Sequence, residues 1–237
     1  MVAKLQKSPW NKGFTKENHS SVLKISQTMK EKKINNFAGW RKKCIEKGLL
    51  KSKYPDFKKN EDLAELIGVV LGDGHIQSFP RTERLTISSH SKNRGFINRY
   101  ACLIEKVIKK KPYCEKIKNA NCVRISIYEK FISKRLKIPA GNRKDLVAKI
   151  PEWISADKKI LTRYLRGLYE AEGSFCVHKP TYTYKFLFSN KNKTLLDNVY
   201  GALKIFGFHP RRGAYRIQIS KKEEVYKIKE LIKFRKY

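Results

Sequence analysis

Two carboxylates, Asp73 and Glu172, occupy matching points of two similar segments, 99 residues apart. The first segment reads Gly68-Val69-Val70-Leu71-Gly72-Asp73-Gly74 and the second Gly167-Leu168-Tyr169-Glu170-Ala171-Glu172-Gly173. Each carries small residues four apart, Gly68 with Gly72 and Gly167 with Ala171. Such pairs share one side of a helix and let two helix backbones approach closely. Pairing the two sides brings Asp73 and Glu172 together at one end of the seam. Two carboxylates held close do not both ionise without a cation, and oxygen ligands favour Mg2+, with Mn2+ as a substitute. An acid at a helix C-terminus also opposes the helix dipole, which a bound cation would offset. Either acid alone reads as well as a helix-end residue before a glycine; the matched pair favours a metal site.

The elements that must position these acids are legible from periodicity. Asp62 caps a helix with Leu63, Leu66, Ile67, Val70 and Leu71 apolar, ending at Gly72-Asp73-Gly74. Strands are expected at 75–79 and 84–89, a helix at 91–109, strands at 113–118 and 122–128, and a short helix at 130–136. The same order returns after a linker: a helix from 156 or 157 to 171, strands at 174–178 and 184–189, and a helix at 194–206. Short strands near 209–212 and 215–220 precede a last helix at 222–234. The chain is therefore read as α+β, a duplicated αββαββα unit rather than a solenoid. The expected division is a basic N-terminal extension over 1–60, a first half over 61–138, a linker over 139–156 and a second half over 157–237.

Strand alternation separates two faces. If Ile76, Leu85, Ile87, Val123, Ile125, Phe175, Val177, Phe186, Phe188, Ile217 and Ile219 pack under the helices, the opposite face carries hydrogen-bonding side chains. These are His75, Gln77, Arg84, Thr86, Ser88, Arg124 and Ser126 in the first half, and His178, Lys185, Arg216 and Gln218 in the second. Arg reads guanine, Gln reads adenine and hydroxyls adapt to either, so this face suits a nucleic-acid groove. Lys116, Lys118, Arg211 and Arg212, with Arg81 in the intervening turn, are placed at the periphery on phosphates.

Composition agrees. The 237 residues hold 54 Lys+Arg against 21 Asp+Glu, a formal charge of +33, which calls for a polyanion. Residues 1–60 contain 16 basic and 4 acidic residues and too few large aliphatics to bury a core. Within this arm Ser20 or Ser21 caps a short helix to Lys32, and Trp10 lies in a turn beside Lys12. No apolar run reaches the roughly 18 residues needed to span a bilayer, and the first residues show no export signal. Five cysteines without C-x-x-C spacing read as reduced thiols of an intracellular protein, and His75 and His178 lack zinc-ligand spacing.

The segments 63–74 and 165–173 resemble the two signature motifs of single-chain LAGLIDADG homing endonucleases, and 138–142 with 150–154 resembles the linker of that family. The resemblance covers about Glu61 to Tyr237. It implies a pseudo-twofold pair of saddle-shaped antiparallel sheets in the DNA major groove. It also implies a monomeric, intron-encoded enzyme that makes a Mg2+-dependent double-strand break in a long, nearly palindromic target. By position, Asp73 and Glu172 would bind the metals with the backbone carbonyls of Gly72 and Ala171. Lys144, Arg124 or Gln218 would support the water or leaving oxygen. Glu172 departs from the commoner Asp and keeps its charge. Residues 9–17 with 24–30 resemble the small nuclease-associated modular DNA-binding motifs appended to such enzymes, implying DNA contacts from Trp10 and Lys12. Two other functions fit the same scaffold: an RNA maturase acting on its intron, and a DNA-binding regulator without catalysis. The retained acid pair argues against the last.

Overall fold

A computed structural model describes residues 9–35, 37–143 and 146–237. The chain divides into two compact units between Tyr54 and Pro55. Composition alone placed this boundary near residue 60. The earlier break arises because Phe57 is buried in the core of the second unit, where the Arg135 guanidinium lies 3.7 Å above its ring. Arg135 Nε also donates to the Pro55 carbonyl at 2.8 Å.

In the first unit, α1 (Ser20–Glu31) buries none of its residues and α2 (Ala38–Glu46) buries only Cys44. Helix α1 begins at Ser20, but its N-cap is His19, which makes no side-chain cap bond; neither serine caps it. Phe14 stacks on the His19 ring at 4.4 Å and Trp10 meets it edge-on at 6.1 Å. Helix α2 carries no clear apolar stripe, so periodicity did not reveal it.

The second unit repeats one order twice. The first pass is α3 (Glu61–Gly72), β1 (Gly74–Phe79), β2 (Thr82–His90), α4 (Arg94–Ile108), β3 (Tyr113–Lys116), β4 (Cys122–Glu129) and α5 (Ile132–Leu136). After a single-turn α6 (Glu152–Ser155) comes α7 (Lys158–Glu172), then β5 (Gly173–His178), β6 (Thr183–Ser189), α8 (Lys193–Ile205), β7 (Arg211–Arg212), β8 (Arg216–Ile219) and α9 (Lys222–Leu231). Each half holds one four-stranded antiparallel sheet, ordered β1-β2-β4-β3 and β5-β6-β8-β7. The inner faces of both sheets and the helices share one hydrophobic core. Among the described residues no helix is long and apolar enough to cross a membrane.

Caps refine the expected boundaries. Helix α3 starts two residues early, with Asn60 Oδ1 accepting from Leu63 N at 2.9 Å in place of an Asp62 cap. Asp157 caps α7 through Lys159 N at 2.7 Å. Strand β7 is shorter than expected because Glu224 takes His209, accepting from its backbone N at 2.8 Å.

Candidate active site at the helix seam

The two motif helices α3 and α7 meet backbone to backbone. A β-carbon on Gly167 would overlap the Glu65 carbonyl and stand 2.7 Å from Val69 N. One on Gly68 would overlap the Tyr164 carbonyl and stand 3.0 Å from Leu168 N. Only glycine fits either place. Farther along, the Gly72 and Ala171 positions touch, and a β-carbon on Gly72 would lie 3.2 Å from Glu172 Cγ. The seam therefore delivers Asp73 and Glu172 side by side at its end. The glycines after the acids have a steric rather than a conformational cause. Neither has positive φ, and a β-carbon on Gly74 would lie 2.7 Å from Val70 O.

Asp73 is exposed and Glu172 half-buried. Crowding by protein atoms, then the charge of Glu172, raises the Asp73 carboxyl to a pKa of about 6. Burial also raises Glu172, opposed by a hydrogen bond from Asn190 Nδ2 to Oε1 at 3.0 Å. Both carboxyls are therefore harder to ionise than free ones, an electrostatic setting in which a neighbouring cation would be favourable. No group of three or more His, Cys, Asp or Glu gathers among the described residues. A cation here would take the two carboxylates, with backbone carbonyls and a substrate completing an all-oxygen shell suited to Mg2+ or Mn2+. A cavity of about 330 Å³, bordered by Ser88, Asn93, Arg235 and Tyr237, opens beside Asp73.

The neighbouring acid Glu170 has another task. It is buried, accepts from Arg235 N at 2.6 Å and from Tyr237 Oη at 2.5 Å, and so ties the end of the described chain to α7. Beneath the seam the fully buried Glu65 accepts from Arg99 at 2.6 and 2.7 Å and from Arg163 at 2.5 Å.

Register places the outward sheet residues. His75 pairs with Thr86, Thr86 with Ser126, and Ser126 with Tyr113, forming one row across the first sheet. Gln77, Arg84 and Tyr128 form a second row, and Ser88, Arg124 and Glu115 a third. In the other sheet Leu187, Gln218 and Arg211 share a row, Lys185 pairs with Cys176, and Ser189 with Arg216. His178 ends β5, its Nδ1 2.7 Å from Thr181 Oγ1, and Gln218 donates to Ser220 Oγ at 2.7 Å. Arg84 is held most firmly: it donates to Gln77 Oε1 at 2.6 Å and lies 5.7 and 5.9 Å from the Phe79 and Tyr128 ring centres.

Several placements depart from expectation. Thr86 and Ser126 lie on the outward face but are only 8 % exposed, because short side chains on the two central strands sit below longer neighbours. Arg212 pairs with Ile217, which faces the core, so it points toward α8 and binds Asp197 Oδ1 at 3.0 Å; Arg211 alone faces outward. Lys118 lies beyond the end of β3, in the hairpin loop. Lys116 pairs with Val123 and so shares the helix-side face by register, exposed at the end of β3; Arg81 is exposed in the β1–β2 turn, and Trp10 and Lys12 are exposed in the first unit. Lys144 lies outside the described residues. Sequence reasoning missed Arg143, whose guanidinium donates to Val70 O at 2.7 Å and to Gly74 O, because no local pattern announces such a contact.

This arrangement, two αββα-type units joined at a glycine seam that ends in paired acids, is the LAGLIDADG homing-endonuclease fold. Residues 159–233 match the LAGLIDADG-like domain. The chain is similar to the homing endonuclease I-DmoI solved with DNA and Mn, at 17 % identity over 73 % of this chain and 96 % of that one, with a TM-score of 0.50. An I-DmoI variant solved on its target DNA nicked in the coding strand, with Mn, gives 18 % identity, coverages of 73 % and 94 %, and the same TM-score. The N-terminal LAGLIDADG domain of DUF199/WhiA is equally similar, with 17 % identity, coverages of 76 % and 86 %, and a TM-score of 0.50. No curated protein matches the sequence.

Proposed function

We propose that the protein is a site-specific, metal-dependent homing endonuclease that cuts both strands of a long, nearly palindromic DNA target, acting as a monomer. The observation that carries this reading is the abutment of Gly72 with Ala171, which sets Asp73 and Glu172 together at one end of the seam. A protein that only bound DNA would gain nothing from two acids aimed at phosphates.

In this reading Asp73 serves the scissile phosphate of one strand and Glu172 that of the other, with the Gly72 and Ala171 carbonyls as further ligands. When bound, Mg2+ or Mn2+ supplies Lewis-acid activation of water and takes up charge on the phosphate. The rows centred on Arg84, Arg124, Lys185, Arg216 and Gln218 hold the major-groove edges. The basic first unit adds phosphate contacts through residues such as Lys12. Gln218 and Lys144 are the polar groups assigned to the water and the leaving oxygen.

The test is incubation with a randomised duplex library and Mg2+, sequencing of the cut ends, and parallel assays of Asp73→Asn and Glu172→Gln at matched salt. Cutting at one long motif, abolished by both substitutions while binding survives, supports the reading. Binding of duplex without cutting in Mg2+ or Mn2+ points to a regulator, and preference for structured RNA to a maturase.

A further inference from the structure

The linker between the halves reaches into the candidate site. Strand β1 is an edge strand, paired on one side with β2. On its free edge Gly141 N donates to Ile76 O at 2.8 Å, and Arg143 donates to Gly74 O. The same guanidinium donates to Val70 O at 2.7 Å, in the last turn of α3. Val70 and Gly74 bracket Asp73, so one half-buried planar fork fixes both the helix end and the strand start on which that acid stands. It also sets a permanent positive charge on the C-terminal carbonyls of α3, the favoured place for a cation. Helix α7 has no such partner among the described residues. Its last acid is held by its carboxylate instead, through Asn190.

We infer that Arg143 is a positioning residue for Asp73, and that the two acids are held by different means, Asp73 through its main chain and Glu172 through its side chain. The inference rests on the endonuclease reading for its strand-specific consequence. Loss of Arg143 then impairs one strand's cut and loss of Asn190 the other's. Lysine is a poor replacement, because a single nitrogen cannot reproduce the planar fork across two carbonyls.

The test uses the full chain with Arg143→Ala, Arg143→Lys, Asn190→Ala and Asp73→Asn. Each strand of a cleavable duplex is labelled separately, and Mn2+ binding to the DNA-free protein is followed by electron paramagnetic resonance. Expected for Arg143→Ala are a tenfold or greater slowing on one strand, less than twofold on the other, and accumulation of nicked duplex. Asn190→Ala should slow the opposite strand, and Arg143→Lys should fall between wild type and Arg143→Ala on the first. Parallel slowing of both strands, as a general loss of stability would give, overturns the inference. So does Arg143→Lys cutting at wild-type rates, which also decides the matter if the alanine variant does not fold. If the wild type cuts no duplex, the endonuclease reading fails, and Mn2+ binding judges the inference alone. Arg143→Ala must then weaken the Mn2+ signal that Asp73→Asn removes, and an unchanged signal, or no Mn2+ signal in the wild type, overturns it.

Discussion

Asn190 donates to Glu172 at 3.0 Å, whereas Asp73, the matching acid, accepts no hydrogen bond among the described residues. The unpartnered acid is the one raised to a pKa of about 6. Between roughly pH 4 and 6 the folded protein then binds more protons at Asp73 than the unfolded chain does, so its stability falls as pH rises through that window. Asp73→Asn removes this penalty. Metal-free Asp73→Asn should melt above wild type at pH 7.5, with the difference shrinking toward zero near pH 4. Added Mg2+ should stabilise wild type and not the variant. A pH-independent difference in melting temperature would show that neither crowding nor Glu172 raises the Asp73 carboxyl in the folded protein.

The seam predicts a sharp contrast between two glycine-to-alanine changes. At Gly167 a methyl group meets backbone that cannot rotate away, and we expect a loss of about 3 kcal/mol or more in urea unfolding. At Gly201, within α8, nothing lies within 4 Å of the added carbon, and the greater helix propensity of alanine should leave stability unchanged or raised by up to about 1 kcal/mol. Equal effects at the two sites would mean that the helices are not in backbone contact.

Glu65 is fully buried among Arg99, Arg163 and Arg166, the last at 3.7 Å. Glu65→Gln leaves these guanidinium groups without their central anion, which typically costs about 3–5 kcal/mol. Calorimetry should show a large fall in melting temperature. A shift of only a degree or two would place the cluster in solvent.

Under the proposed DNA-binding role, Arg84 and Lys118 should behave differently. Arg84 is held by Gln77 and two rings, so Arg84→Ala should relax base preference at one target position by about 1–3 kcal/mol. Lys118→Ala should weaken all duplexes alike and lower the salt-dependence slope by about 1. Binding titrations on single-base target variants at several salt concentrations would separate the two, and uniform weakening by Arg84→Ala would contradict base reading.

What the sequence disclosed follows from where its signals are local. Gly68 and Gly72 share a helix side with fixed spacing, and Gly167 and Ala171 do likewise, so the seam and its acids were readable without coordinates. Residues such as Gln77 and Arg84 alternate with apolar neighbours and were assigned to the correct face. Arg212 was misplaced because a two-residue strand offers no alternation to count. The first unit's second helix escaped because Trp40, Cys44 and Ile45 define no clear stripe among charged residues. Arg143 could not be found at all, since its partners Val70 and Gly74 are backbone atoms about 70 residues away, and carbonyls leave no mark in side-chain chemistry.

Gly68 faces the Tyr164 carbonyl as Gly167 faces the Glu65 carbonyl, so each half gives the contact that it receives. A surface of this kind is self-complementary, the property that lets identical subunits form a twofold dimer. Joining two such surfaces in one chain replaces a concentration-dependent encounter with an intramolecular one, at an effective concentration on the order of millimolar. Assembly of the paired acids then no longer depends on expression level. Once the halves cannot exchange partners, each can drift alone, as the Asp and Glu at the seam's end already show, and the recognised ligand is released from any need to read alike in both directions.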